Sequence, residues 1–419
     1  MTKNAWKLKF VILFTLIFLV GVSVGKGLDK VLASSDSIYK ELELFTDALN
    51  LVRENYVEEV NTQEVIYGAI RGMLKTLDDH SAFLTPDEFK EFQVETRGSF
   101  GGLGIVISIV DERLTIISPI EDTPGWEAGL KEGDKIVEID GESTEGITLY
   151  EAVSKLRGKK GTKVTIAVMR EGWKKPKNFT IVRDIIKIES VKHEIYDDNV
   201  VYIRITEFQE RTASDLRDAL DDIVDKTGGD MKGIILDLRN DPGGLLSKAV
   251  EVSDVFLDEG VIVSVKGRDS ASDVVFSAHL EGTIPDLPIV VLVNGGSASA
   301  SEIVAGALRD LKKAILVGTK TFGKGSVQTI IPMGDGSGLK LTTAKYFTPN
   351  GTSIHDVGII PDIVVEIPEP EEEEVVVEDG EVVVKEKEVT EEEEIVDIQL
   401  EKAKEVILNW SEYEYLLKK

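Results

Sequence analysis

Apolar residues recur every three or four positions at Leu42, Phe45, Leu49 and Val52, and again at Val65, Ile66, Ile70 and Met73. That is the helical period, so the segment from Ser35 to about Glu95 is expected to form amphipathic helices that pack on a neighbour or a second subunit. Thr85-Pro86-Asp87-Glu88 carries a helix start, with Thr85 as N-cap, proline at the first position and Glu88 closing a capping box. From about Arg97 the pattern shortens to β runs between glycine turns. Gly104–Val110, Leu114–Ile117, Lys135–Ile139 and Lys163–Met169 read as strands, and Leu149–Leu156 as a short amphipathic helix.

A second texture begins near Ile185. The runs Val200–Ile205, Gly233–Leu238, Val261–Val265, Ile289–Val293 and Ala314–Val317 alternate with helical stretches such as Ala213–Asp225 and Leu246–Phe256. The fold class is therefore a multidomain α/β protein: a helical region over 35–95, a β-rich unit over 96–184 and an α/β core over 185–366, whose sheet has helices against it. Residues 367–394 are acidic and valine-rich and are expected to be an extended tether, because blocks such as Glu371–Glu374 repel themselves. A closing helix over 395–419 is expected to dock on the core or on a second copy, and helical ends at both termini point to a homodimer.

Composition narrows the partners. The formal net charge is −28, half of it between Glu366 and Asp397, where sixteen acidic residues face only Lys385 and Lys387. Such a surface excludes general nucleic-acid binding. With no cysteine, thiol catalysis, cysteine zinc sites and disulfides are excluded as well. His80, His193, His279 and His355 have no spacing that suits a metal, so neither metal nor cofactor is expected. Lys3, Lys7 and Lys9 precede an uncharged, largely apolar run from Phe10 to Val24. Residues 1–34 thus read as a signal peptide or membrane anchor, with the remainder exported and either held at the cell membrane or secreted.

Candidate chemistry gathers after the run Ile289–Val293. The sequence Asn-Gly-Gly-Ser-Ala-Ser-Ala-Ser-Glu (294–302) takes a buried strand through a glycine turn into a helix. Free N–H groups at a helix start can hold an oxyanion, and such a turn exposes a hydroxyl. Ser299-x-x-Glu302 is equally a capping box, and spacing alone does not choose among Ser297, Ser299 and Ser301. Downstream, Gly318–Lys324 imitates a phosphate loop, but Gly325 occupies the magnesium-binding position and a β-branched run follows instead of a helix. A glycine-flanked lysine on a buried turn has another use: once desolvated it can deprotonate a serine.

Eight stretches together resemble the carboxyl-terminal processing (tail-specific) proteases. They are Leu-Asp-Asp-His-Ser (77–81), Gly-Gly-Leu-Gly-Ile (101–105), Ala-Gly-Leu-Lys-Glu-Gly-Asp (128–134), Leu-Arg-Gly-Lys-Lys-Gly-Thr (156–162), Asp-Leu-Arg-Asn-Asp-Pro-Gly-Gly-Leu (237–245), Gly-Ser-Ala-Ser-Ala-Ser-Glu (296–302), Phe-Gly-Lys-Gly (322–325) and Gly-Ile-Ile-Pro-Asp (358–362). Asp79 departs from the proline often found there.

The resemblance implies a serine endopeptidase with Ser299 as nucleophile, Lys324 as base and Gln328 positioning the lysine. It places an oxyanion hole at Ala300 with Gly243 or Gly244. Asp310, sometimes counted as a third member, lies eleven residues along the helix from Ser299 and is expected to be structural. It implies a PDZ unit in which Gly101, Gly102, Leu103, Gly104 and Ile105 receive a peptide C-terminus, with Arg157 coupling that unit to the active site. Substrates would be extracytoplasmic polypeptides with apolar C-terminal tails. The alternative is a peptide-binding scaffold that keeps the fold without turnover.

Overall fold

The computed structural model describes residues 38–367 except 197, together with 375–378, 381–384 and 396–418. The proposed signal or anchor and most of the acidic stretch lie outside the described residues. Among the described residues no helix is long and apolar enough to cross a membrane. The chain divides into two compact units, one up to Leu77 and the other from Asp78 to Lys419.

The first unit contains a helix over 38–55 and a second, Thr62–Lys75, opened by the Asn61 side chain accepting from the N–H groups of Gln63 and Glu64. Ile38, Leu42, Phe45 and Val52 on the first helix are exposed. Its apolar stripe is therefore uncovered.

The core of the second unit is a six-stranded sheet. Strand Val191–Ile195 pairs antiparallel with Val200–Ile205, which continues in parallel through Gly233–Asp237, Ile289–Val293 and Ile315–Gly318 to Ile363–Val364. Of the four inner strands, Gly233–Asp237, Ile289–Val293 and Ile315–Gly318 are buried along their whole length, as expected where both sheet faces are covered. Alternate residues sort by face. Leu236, Val291 and Val293 pack with helices Thr212–Thr227, Leu246–Phe256 and Ala300–Asp310. Ile235, Val290, Leu292 and Val317 instead meet Ala403, Val406 and Ile407 of helix Ile398–Leu408. The closing helix thus docks on the core of its own chain.

That docking has a polar anchor. Arg239 is buried at the end of strand Gly233–Asp237, where its guanidinium takes Asp237 (2.7 Å), Asp397 (2.7 Å) and Gln399 (3.2 Å). Burial alone would lower its pKa, but the two carboxylates outweigh that and raise it.

A second, antiparallel sheet joins Ala82–Leu84, Gly338–Phe347, Val261–Gly267 and Val274–Ser277, with Ser326–Pro332 also on Gly338–Phe347. The run 261–265 is a strand as expected, but it belongs to this sheet and not to the parallel core. Its partners lie tens of residues downstream, so local alternation could not assign it. The β-rich unit is a third sheet in the order Ile105–Val110, Arg113–Pro119, Lys135–Ile139, Lys163–Met169, Lys177–Val182, with helix Leu149–Leu156 packed beside the first. Within the acidic stretch, Val375–Glu378 and Glu381–Val384 pair antiparallel.

Helix Pro86–Arg97 begins with the expected capping box: Thr85 N–H donates to Glu88 (2.8 Å) and Glu88 N–H to Thr85 Oγ1 (3.3 Å). It ends at Gly98, whose left-handed backbone suits glycine.

Replacing Arg239 by methionine leaves buried Asp237 with only the longer Arg204 contact (3.4 Å) as counter-charge and strips Asp397 of its partner. The expected loss is about 3 kcal/mol or more in urea-induced unfolding, because one partner of a buried ion pair is removed. The C-terminal helix should lose amide-exchange protection first.

Candidate active site

The turn after strand Ile289–Val293 separates the three serines. Ser297 and Ser301 are fully buried, and their hydroxyls donate to the carbonyls of Leu238 (2.7 Å) and Asp241 (2.9 Å). Ser299 is partly exposed and lines a cleft of about 640 Å³. Its backbone has φ 56° and ψ −111°, a strained conformation for a residue with a side chain. Such strain costs about 1–3 kcal/mol and persists only where neighbours over-determine it.

Two buried residues impose it. Glu302, fully buried on the first turn of helix Ala300–Asp310, accepts four hydrogen bonds. One carboxylate oxygen takes the N–H of Ser299 (2.9 Å) and of Lys324 (2.9 Å); the other takes the N–H of Gly323 (2.8 Å) and the hydroxyl of Thr321 (2.5 Å). From the opposite side, the Tyr346 hydroxyl reaches the carbonyls of Ser299 (3.1 Å) and Lys324, its one proton shared between them. The serine turn and the lysine loop, far apart in sequence, are tied together through both their amides and their carbonyls. Sequence reasoning saw Glu302 only as half of a capping box and missed Tyr346.

Lys324 lines the same cleft and is half-buried. Burial lowers its pKa, the nearby Lys340 lowers it further, and Glu302 opposes them. Strand Ser326–Pro332 follows directly, so the phosphate-loop imitation has no helix N-terminus behind it. Gln328 also faces the cleft, but its amide nitrogen donates to Ser326 Oγ (2.8 Å). Only its carbonyl oxygen is left for the lysine.

Pro242-Gly243-Gly244 forms another wall of the cleft. A Cβ on Gly243 would come within 2.8 Å of Ser299 Cβ and 2.9 Å of the Ala300 nitrogen, and its φ of +103° also excludes other residues. The Gly243 N–H donates to the Asp241 carboxyl (2.8 Å). Of the two glycines the sequence offered as oxyanion donors, Gly243 is therefore already engaged. The N–H groups of Gly244 and Ala300 have no partner among the described residues. Asp310 lies outside the cleft, where its carboxylate holds Arg309 (3.2 Å) and the Asn350 N–H (3.2 Å).

In the β-rich unit, Ile105–Val110 is an edge strand beside helix Leu149–Leu156. Gly101 and Gly102, expected in a carboxylate-binding turn, are instead in strand Ser99–Gly102, paired with Asp184–Lys187. Glycine is required at 101 because a Cβ would stand 2.0 Å from the Gly158 carbonyl. The turn itself is Leu103-Gly104, whose carbonyls are taken by Gly125 N–H (2.6 Å) and Ile120 N–H (2.8 Å) while its own N–H groups have no partner among the described residues. Arg157 pairs with Glu91 and lies 4.5 Å over the Phe100 ring. Glu91 belongs to helix Pro86–Arg97, which also contributes Phe89, Phe92 and Gln93 to the cleft.

Comparison with known proteins gives this arrangement a class. Residues 199–365 match the model for peptidase family S41, residues 115–170 that for a PDZ domain, and residues 24–85 that for the activating protease CtpB N-terminal domain. The chain is a serine-type peptidase carrying a PDZ domain. It is 48% identical over 339 residues to the carboxy-terminal-processing protease of Bartonella bacilliformis, covering 81% of this chain and 78% of that one. It is 38% identical over 375 residues to the carboxy-terminal processing protease CtpA of Bacillus subtilis, covering 88% and 78% respectively. A solved photosystem II D1 C-terminal processing protease is 30% identical with a TM-score of 0.43, covering 77% of this chain and 92% of that one. The chain belongs to the carboxy-terminal processing protease family.

Glu302→Gln keeps the shape but retains one acceptor oxygen for four donors. Unsatisfied buried N–H groups cost about 1–3 kcal/mol each, so a lowered melting temperature and at least a tenfold loss of kcat are expected. Thermal melts alongside peptide-cleavage assays measure both.

Proposed function

We propose that the protein cleaves extracytoplasmic polypeptides recognised by their apolar C-terminal tails, using Ser299 and Lys324 as a catalytic dyad. The observation that carries this reading is the double tie of Glu302 and Tyr346, which fixes a strained, cleft-facing serine beside a half-buried lysine. Neutral Lys324 removes the Ser299 proton as Oγ bonds to the scissile carbonyl carbon. The N–H groups of Ala300 and Gly244 receive the oxyanion. As the C–N bond breaks, Lys324 hands its proton to the leaving amine, leaving an acyl-enzyme. Water then attacks, its proton passing through Lys324 back to Ser299. The Gln328 carbonyl oxygen orients the amine.

Tail recognition follows from the Leu103-Gly104 turn, whose free N–H groups suit a carboxylate, and from the Ile105–Val110 edge, to which a peptide adds as a strand. Arg157, paired with Glu91 on the helix that walls the cleft, couples the two sites. The basic, apolar N-terminus supports export and attachment to the cell membrane, and the exposed stripe on helix 38–55 supports a second copy as partner.

Ser299→Ala should abolish cleavage of a peptide with an apolar tail while leaving its binding intact. A variant that still cleaves sinks the dyad; a wild type that binds but never cleaves identifies a scaffold. The pH profile tests the base. Burial lowers the Lys324 pKa, so kcat should rise with pH as the ammonium loses its proton, with its midpoint below the ordinary lysine value. Lys324→Arg, protonated throughout, should be inactive at every pH. Amidating the peptide's C-terminus should weaken binding by about tenfold or more, since a charge-assisted pair is lost.

A further inference from the structure

Asp241 sits directly beneath the oxyanion loop and plays no part in the dyad. It is fully buried. One oxygen of its carboxyl accepts the Gly243 N–H at 2.8 Å, and the other has no hydrogen-bond partner. Its main-chain carbonyl accepts the Ala298 N–H (3.0 Å) and the Ser301 hydroxyl (2.9 Å), one on each side of Ser299. A single residue therefore grips both the glycine turn and the serine turn. The glycine turn is held elsewhere too, through Phe208 N–H to the Gly243 carbonyl (2.8 Å) and Leu245 N–H to the Phe208 carbonyl (2.8 Å). The first bond holds the Gly243–Gly244 peptide, which carries the Gly244 N–H, and the second holds the peptide after it; the peptide before it carries the Gly243 N–H. The Gly243 N–H is fixed by Asp241.

We propose that Asp241 is a positioning residue for the oxyanion hole: by taking the Gly243 N–H it sets the backbone so that the unpartnered Gly244 N–H joins that of Ala300 at Ser299. This rests on the oxyanion assignment made above. An orphaned carboxyl oxygen in a dry site is costly as a charge and tolerable as a neutral acid. Burial pushes the Asp241 pKa up to about 8; the Gly243 hydrogen bond and the nearby Ser301 hydroxyl work against it, Glu207 adds to it and Arg204 opposes it. Those two charges face it from the strand Val200–Ile205 and the loop behind that strand, while the serine-bearing helix presents the Ser301 hydroxyl. Below that pH the acid holds the loop without adding charge. Above it, a buried negative charge appears next to the point where the oxyanion must form, and catalysis declines. Asp241 thus supplies an alkaline limit opposite in sign to the rise that Lys324 supplies.

The test measures kcat and KM of the full chain against pH with a fluorogenic apolar-tailed peptide, for wild type, Ser299→Ala, Asp241→Asn and Asp241→Leu. Asparagine still accepts the Gly243 N–H but cannot ionise. It should rescue neutral-pH turnover and abolish the fall in kcat above about pH 8. Leucine removes the acceptor, so kcat should drop by roughly tenfold to a hundredfold with KM little changed, the size expected for a slightly misplaced site. If Asp241→Leu does not fold, the Asp241→Asn profile decides alone. An alkaline fall that persists in Asp241→Asn overturns the proposal, as does wild-type kcat in a folded Asp241→Leu. Retained activity in Ser299→Ala would instead overturn the underlying site reading.

Discussion

The candidate active site depends on one carboxylate. Glu302 is fully buried and among the described residues makes no ion pair; its carboxylate is met by four donors, three of them backbone N–H groups from two segments that meet only in the folded chain. Backbone donors are directional and cannot be repositioned by a rotamer change, so their convergence fixes main chain and not merely side chains. The strained backbone at Ser299, the height of the lysine loop and the width of the cleft between them follow from that convergence. Tyr346 repeats the constraint with acceptors in place of donors, and burial of its ring raises the pKa of its hydroxyl, keeping it a donor.

Much of this architecture was legible in the sequence. The strands of the parallel sheet are continuous β-branched runs, and the helix starts carry their caps; both signals are local and survive without tertiary information. The strand 261–267 could be seen but not placed, because sheet membership is a matter of distant pairing. The glycines at 101 and 102 read as part of a carboxylate-binding turn, but the first is small for a different reason: the Gly158 carbonyl occupies the place of its side chain.

The site was legible in its parts and not in its wiring. Spacing alone left three serines open, and the resemblance to a family selected one. The structure supplies a physical distinction, since two of the hydroxyls are spent on carbonyls behind the turn. Glu302 carried a sufficient local explanation as a helix cap, which hid its longer reach. Tyr346 gave no signal at all: an aromatic residue in an alternating strand looks like ordinary core. Asp241 and the two glycines after it were visible as a motif, yet which glycine has a free N–H depends on a hydrogen bond spanning two residues, below what residue type can express.

The anchoring of the last helix has a further consequence. The segment is no loose appendage: Asp397 and Gln399 are gripped by Arg239, Val406 and Ile407 are sealed against the central sheet, and Leu416 and Leu417 pack on the same surface. To detach this helix, the protein would have to break an internal ion pair and strip one face of its own sheet. Release of the last helix is thus opposed by the same contacts that complete the fold.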